Sequence, residues 1–128
     1  MTSVVTCTIF SNMAKQDNST TSGAQRNGNR AAVFKALAHP SRIRIVEALS
    51  CREHCAGELV ELVGDDASTI SKHLTVLKSA GIVTNARRGT SVFYNLQMTC
   101  VTGFMACVDK AIVALARSRI HAAGSVPE

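Results

Sequence analysis

The chain has no tryptophan, one tyrosine and two prolines among 128 residues, and aromatic side chains make up 4% of it. An aromatic-lined pocket therefore has little to be built from. There is no Gly-rich phosphate loop and no His–Cys pair in a recognisable catalytic setting, so the sequence does not read as an enzyme. No apolar run approaches the roughly 18 residues that cross a bilayer. No basic segment precedes a long apolar stretch at the N-terminus, so no signal peptide is expected either. CxxC is absent, which argues against both a thioredoxin-type site and a zinc ribbon. Acids are scarce: nine Asp and Glu face 14 Lys and Arg, a formal charge of +5. That excess suits an acidic partner, nucleic acid or an anionic surface. With 46% hydrophobic residues the chain can bury a core, and a single soluble, cytoplasmic domain is expected.

Residues 11–30, SNMAKQDNSTTSGAQRNGNR, hold almost nothing that can bury apolar area. A disordered N-terminal arm is expected over residues 1–29, a folded domain over 30–117 and a flexible tail over 118–128. Met13 is a candidate start, in which case Cys7 is not part of the working protein. Ala31, Phe34 and Leu37 recur at helical spacing and stop before Pro40. Pro40 suits the first turn of a second helix with Ile43, Val46 and Leu49 inside. A third helix is expected from about Cys55 to Val63, with Leu59, Leu62 and Val63 as its apolar edge, broken by Gly64-Asp65-Asp66. The fourth is the clearest: Asp66 or Ser68 caps it, Ile70, Leu74 and Leu77 fall at i, i+4, i+7, and Gly81 ends it. Two strand-like runs, Ile82–Arg87 and Ser91–Leu96, join through Arg88-Gly89-Thr90 as a hairpin. A last helix from about Thr99 to Arg117 carries Val101, Phe104, Val108, Ile112 and Leu115 along one stripe.

Helix, tight turn, helix, then β-hairpin is the order of a winged helix-turn-helix: a mainly α fold with a β-hairpin wing, about five helices and two strands. The major groove admits one helix, and the polar face of the fourth helix, with Ser68, Thr69, Ser71 and Lys72 in its N-terminal half, suits phosphates or base edges of double-stranded DNA. Arg87 and Arg88 at the hairpin tip offer two guanidiniums to the flanking backbone or minor groove. Charge placement agrees. From Ala67 to Cys107 the chain has Lys72, Lys78, Arg87 and Arg88 and no acid, whereas Ile45 to Asp66 holds six acids against Arg52 alone. A uniformly solvated surface interleaves its signs.

The runs FKALAHPSRIRIVEAL, CAGELVELVGDDASTISKHLTVLKSAGIV and RRGTSVFYNL resemble the ArsR/SmtB family of bacterial metal- and metalloid-responsive repressors, over roughly residues 30–115. The resemblance implies a homodimer joined through its first and last helices, which holds an operator when free and lets go when metal binds. It implies that Ser68, Thr69, Ser71, Lys72 and His73 sit on the recognition helix; a histidine there more often supports the helix or a phosphate contact than binds metal. It also places Cys55 at the first cysteine of a motif opening the third helix, while Gly57 and Val60 stand where arsenite-sensing relatives often carry cysteine. Most of the His and acidic ligands that bind zinc across the dimer in relatives are missing from the last helix, which disfavours a nickel- or zinc-type site of that design.

Five cysteines, Cys7, Cys51, Cys55, Cys100 and Cys107, are too odd in number and too scattered for a disulfide framework. If Cys51-Arg52-Glu53-His54-Cys55 is helical, its two sulfurs lie on one face about a turn apart, with His54 between them as an exposed loop histidine. Cys100 and Cys107 share a face of the last helix but lie about 10 Å apart along it, too far to share one ion held by bonds of about 2.3 Å. A site therefore needs a second element or the partner subunit. The favoured chemistry is trivalent arsenic or antimony bound by three thiolates, two from Cys51 and Cys55 and the third from Cys107 or Cys100, with Cys7 a remote donor; cadmium, lead or zinc are the alternatives. DNA binding itself needs no cofactor. Against this stand buried, inert cysteines, a thiol-based redox or reactive-sulfur sensor, and a winged helix that binds only protein, which would lack salt-sensitive DNA binding.

Overall fold

The computed structural model describes residues 23–124, so Cys7 and the first 22 residues of the arm expected over 1–29 lie outside the described residues. The chain divides between Lys35 and Ala36 into two units. The described part of the first unit is helical: α1 (Gly23–Leu37) starts there and runs into the second. This corrects the expectation that order begins at Arg30. Ala24, Gln25, Arg26 and Arg30 carry no core face but are good helix formers, and extending an existing helix is far easier than nucleating one.

In the second unit, α2 (Pro40–Cys51) has Pro40 in its first turn and His39 as an extended N-cap. Nδ1 of His39 accepts from the Ser41 N–H at 3.1 Å. The helix buries Ile45, Val46 and Leu49. Ile43, expected inside, is 37% exposed, because it lies about 200° around the helix from Ile45. Arg52 ends the helix with extended backbone (φ −166°, ψ 170°), and a short strand β1 (His54–Cys55) follows. The Cys51–Cys55 stretch is thus not one helical turn, and the fold has a third strand that two residues could not announce by alternation.

Helix α3 (Ala56–Val63) buries Leu59 and Val63, while Leu62 is half-exposed. Its end needs Gly64, whose φ of +89° is costly for any residue with a Cβ and whose N–H reaches the Val60 carbonyl at 3.0 Å. Helix α4 (Ala67–Ser79) starts from Asp66 and buries Ile70, His73, Leu74 and Leu77. Strands β2 (Val83–Arg88) and β3 (Ser91–Leu96) form the hairpin. The last pair is Arg88 with Ser91, so the turn is Gly89-Thr90 and Gly89 takes φ +63°. The sheet is antiparallel in the order β1-β3-β2, with His54 opposite Tyr94 and Cys55 opposite Phe93.

Helix α5 (Cys100–Gly124) passes the expected end at Arg117, since no proline intervenes before Pro127 to stop it. Of its described residues only Val101 is buried; the predicted stripe of Phe104, Val108, Ile112 and Leu115 is exposed. The core of this unit is built on Ile45, Val46, Leu59, Ile70, Leu74, Leu77, Ile82 and Val83, each under 2% exposed. The expected winged helix-turn-helix is the architecture observed: five helices and one small antiparallel sheet among the described residues.

Candidate nucleic-acid interface and thiol segment

The apolar residues of α4 fix which of its polar residues face outward. With Ile70, Leu74 and Leu77 inside, Ser68, Ser71, Lys72, Thr75 and Val76 form an exposed stripe at i, i+3, i+4, i+7, i+8. At its start the Ser68 hydroxyl donates to Asp66 Oδ2 at 2.6 Å. That bond, then one from Thr69, holds the Asp66 carboxyl below its usual range. Exposed Ser68 and half-buried Thr69 therefore serve the helix start, while Ser71 and Lys72 are exposed without a bond to Asp66. Thr75 back-bonds to the Ser71 carbonyl at 2.9 Å.

His73, expected on the recognition helix, is buried against α2 and does not share this exposed face. Its Nδ1 accepts from Arg42 Nε at 3.2 Å, and its ring lies 4.4 Å from that of His39. The neutral ring then carries its proton on Nε2, 3.9 Å from Asp65 Oδ2 and without a hydrogen-bond partner among the described residues. Burial, then the His39 and Arg42 charges, push its pKa down against the smaller opposing effect of Asp65. Nη1 of Arg42 also donates to the Ala36 carbonyl at 3.1 Å, so this group anchors α4 to the start of α2.

The two hairpin arginines differ. Arg87 is exposed and has no ion pair among the described residues. Arg88 is ion-paired to Glu53 through Nη1 and Oε1, and its guanidinium lies 5.4 Å from the centre of the Phe93 ring. Oε2 of Glu53 accepts from Asn95 Nδ2 at 3.3 Å. Sequence reasoning missed Glu53: it stands 35 residues from Arg88, and nothing local marks the pair.

Glu53 lies between two thiols. Cys51 is exposed at the end of α2, Cys55 half-buried in β1, and Cys100 and Cys107 are exposed on α5; all are free. Cys55 Sγ donates to Glu58 Oε1 at 3.5 Å. His54, expected as an exposed loop residue, is buried, with Nδ1 2.9 Å from Glu58 Oε2. Arg52 Nη2 reaches the same oxygen at 2.8 Å. The His54 bond first, then Arg52, lowers the Glu58 pKa from 4.5 to about 2. Among the described residues no three His, Cys, Asp or Glu side chains stand close enough to hold a metal ion. A cleft of about 260 Å³ lies between the end of α2, β3 and the start of α5, lined by Ser50, Arg52, Glu53, Asn95, Thr99 and Thr102 among others.

Residues 39–85 match the model of the bacterial regulatory proteins of the arsR family. The chain is 36% identical over 92 residues to the HTH-type transcriptional regulator Rv0081 of Mycobacterium tuberculosis, covering 71% of this chain and 81% of that one. This chain belongs to the arsR family. The crystal structure of Rv0081 superposes with a TM-score of 0.67 at 33% identity, over 78% of this chain and 99% of that one. Equally similar in shape, at a TM-score of 0.67 and 27% identity over 78% and 94% of the two chains, is the homodimeric winged helix-turn-helix DNA-binding domain of Mb0332 from Mycobacterium bovis. The repressor SmtB of Mycobacterium tuberculosis is 42% identical over 64 residues, half of this chain and 47% of its own. These relatives are regulators, not enzymes. The segment matching the arsR family holds α2 to α4, Cys51 and Cys55, while Arg87, Arg88, Cys100 and Cys107 lie beyond it. No described helix is long and apolar enough to cross a membrane.

Proposed function

We propose that the chain is a homodimeric transcriptional repressor which holds double-stranded operator DNA through the outer face of α4 and the hairpin wing. It releases that DNA when its thiols take a thiophilic ion, trivalent arsenic or antimony before cadmium, lead or zinc. The observation that carries the inducer reading is the exposure of the cysteines. Free cysteine is among the most buried of residue types, yet here Cys51, Cys100 and Cys107 are exposed and Cys55 is half-buried. None fills the core of the single subunit, so packing within it does not account for them. The exposed apolar stripe of α5 supports the dimer, since a contiguous apolar face on a long helix calls for a covering surface.

The thiols belong to separate segments, two flanking the α2–β1 bend and two on α5. A three-thiolate site must draw those segments together, within one subunit or across two. An ion shifts the equilibrium between DNA-holding and DNA-releasing arrangements only by its different affinity for each. Thiolates gathered in one arrangement and dispersed in the other supply that difference. A second reading keeps the DNA function and makes oxidation of a thiol the signal, which the exposure of Cys51 at the end of α2 favours.

The deciding experiment titrates the reduced protein on its own upstream DNA with arsenite, antimonite, cadmium, lead and zinc, with diamide in parallel. Release by arsenite or antimonite that is lost in Cys51→Ser and in Cys107→Ser or Cys100→Ser variants is the expected result. Release by diamide alone refutes the metalloid reading in favour of the redox one. Absence of DNA binding under every condition refutes both.

A further inference from the structure

The pair between Glu53 and Arg88 joins the thiol segment to the wing by two routes. Through the chain, Glu53 lies two residues from both Cys51 and Cys55. Through the sheet, Cys55 is opposite Phe93, the ring beneath the Arg88 guanidinium, and Phe93 is opposite Ala86 on β2. Asn95, two residues further along β3, holds the second oxygen of the same carboxylate. Arg88 is therefore held by a carboxylate from the α2–β1 bend and by a ring on β3, the strand paired with the one that carries Cys55. The neighbouring Arg87 has no such hold, as alternation along β2 sends the two side chains to opposite faces.

From this geometry we propose that Glu53 is a latch that competes with DNA phosphate for Arg88. With the latch closed, the carboxylate neutralises a wing cation that would otherwise contact the duplex backbone; with it open, Arg88 turns to phosphate. Ligation of the flanking thiols fixes the α2–β1 bend with Glu53 seated on Arg88, which favours the state that releases DNA. The inducer half of the proposal rests on the function proposed above. The competition between Glu53 and phosphate does not.

The test measures operator affinity of the reduced, ion-free protein for wild type, Glu53→Gln, Arg88→Ala and the double variant. E53Q keeps the size of the side chain and its bond to Asn95 but removes the charge. It is expected to tighten binding by roughly two- to fivefold, the range for a partly exposed ion pair, and to have no effect in the Arg88→Ala background. An unchanged affinity in E53Q overturns the latch. So does an equal gain with and without Arg88, which would mean only that one acid had been removed near DNA. If E53Q unfolds, Asn95→Ala, which frees one oxygen of Glu53 and changes no charge, replaces it, with a smaller gain that again requires Arg88. Arsenite titration of the same four proteins separates the two proposals. Failure of wild type to release DNA refutes the metalloid function, while the ion-free affinities still judge the latch. Release at the same arsenite concentration in wild type and E53Q overturns the inducer half of the latch alone.

Discussion

Replacing Arg87 by alanine is expected to change the salt dependence of DNA binding more than replacing Arg88, although the two are adjacent. A cation that neutralises a phosphate releases a counterion, and each such contact contributes about 0.9 to the slope of log affinity against log salt. Arg87 is exposed and has no ion pair among the described residues, so a contact with DNA there is expected to break no other. Two copies in a dimer make the expected loss of slope for Arg87→Ala about 1.8, or roughly tenfold less weakening between 50 and 200 mM salt than wild type shows. Arg88 must first leave Glu53, and that exchange of one anion for another yields less. Its removal is expected to lower the slope by less than half as much. Fluorescence anisotropy of a labelled operator over a salt series measures both. Equal slopes for the two variants, or no change for Arg87→Ala, would refute the assignment of Arg87 as the free wing cation.

Burial lowers the pKa of His73, so the unfolded state, with an ordinary value near 6.5, binds more protons in the interval beneath that value. Stability is then full above about pH 6.5 and falls as the pH drops from there toward the lowered native value; His73→Gln is expected to flatten this fall in a series of thermal melts. Leu74, 2% exposed in the core side of α4, is expected to cost about 2–5 kcal/mol when cut to alanine, measured by denaturant unfolding. With a chromogenic disulfide reagent on the folded, reduced protein, Cys51 is expected to react well before Cys55, which is half-buried and bonded to Glu58; the reverse order, in single-cysteine variants, would contradict the described environments. Gly64→Ala forces a Cβ into a φ of +89° and is expected to destabilise by about 1 kcal/mol.

The elements set by local pattern were legible in the sequence. Ile70, Leu74 and Leu77 recur at helical spacing, Pro40 and Gly64 punctuate, and Gly89 sits where the hairpin needs it. Elements set by distant partners were not. Strand β1 exists because His54 and Cys55 find Tyr94 and Phe93, some forty residues away in sequence, and its two residues are indistinguishable from the start of a helix when read alone. Ile43 and Ile45 are equally apolar, and only the packing of α2 chose Ile45. The ends of α1 and α5 were misjudged for a related reason: apolar periodicity marks where a helix is buried, whereas propensity lets it run on. The polar stripe of α4 is readable as a candidate interface, and His73 stands on that helix as expected, but a histidine within a polar phrase gives no sign of facing inward.

Charge gives the last connection between sequence and site. The sequence separates an acidic stretch, Ile45 to Asp66, from a basic one, Ala67 to Cys107, and the fold brings them together again at the ion pair of Glu53 with Arg88. Other arginines have structural partners: Arg44 donates to the last carbonyls of α3, Leu62 and Val63, at 3.2 Å, Arg52 holds Glu58, and Arg42 holds His73. On α4 and the wing, Lys72, Lys78 and Arg87 are exposed and carry no ion pair among the described residues, whereas Arg88 is held by Glu53. A formal charge of +5 therefore does not by itself count the cations free to meet an anion. On the latch proposed above, a change of backbone at the α2–β1 bend, which carries that carboxylate, is expected to alter the charge offered at the hairpin tip.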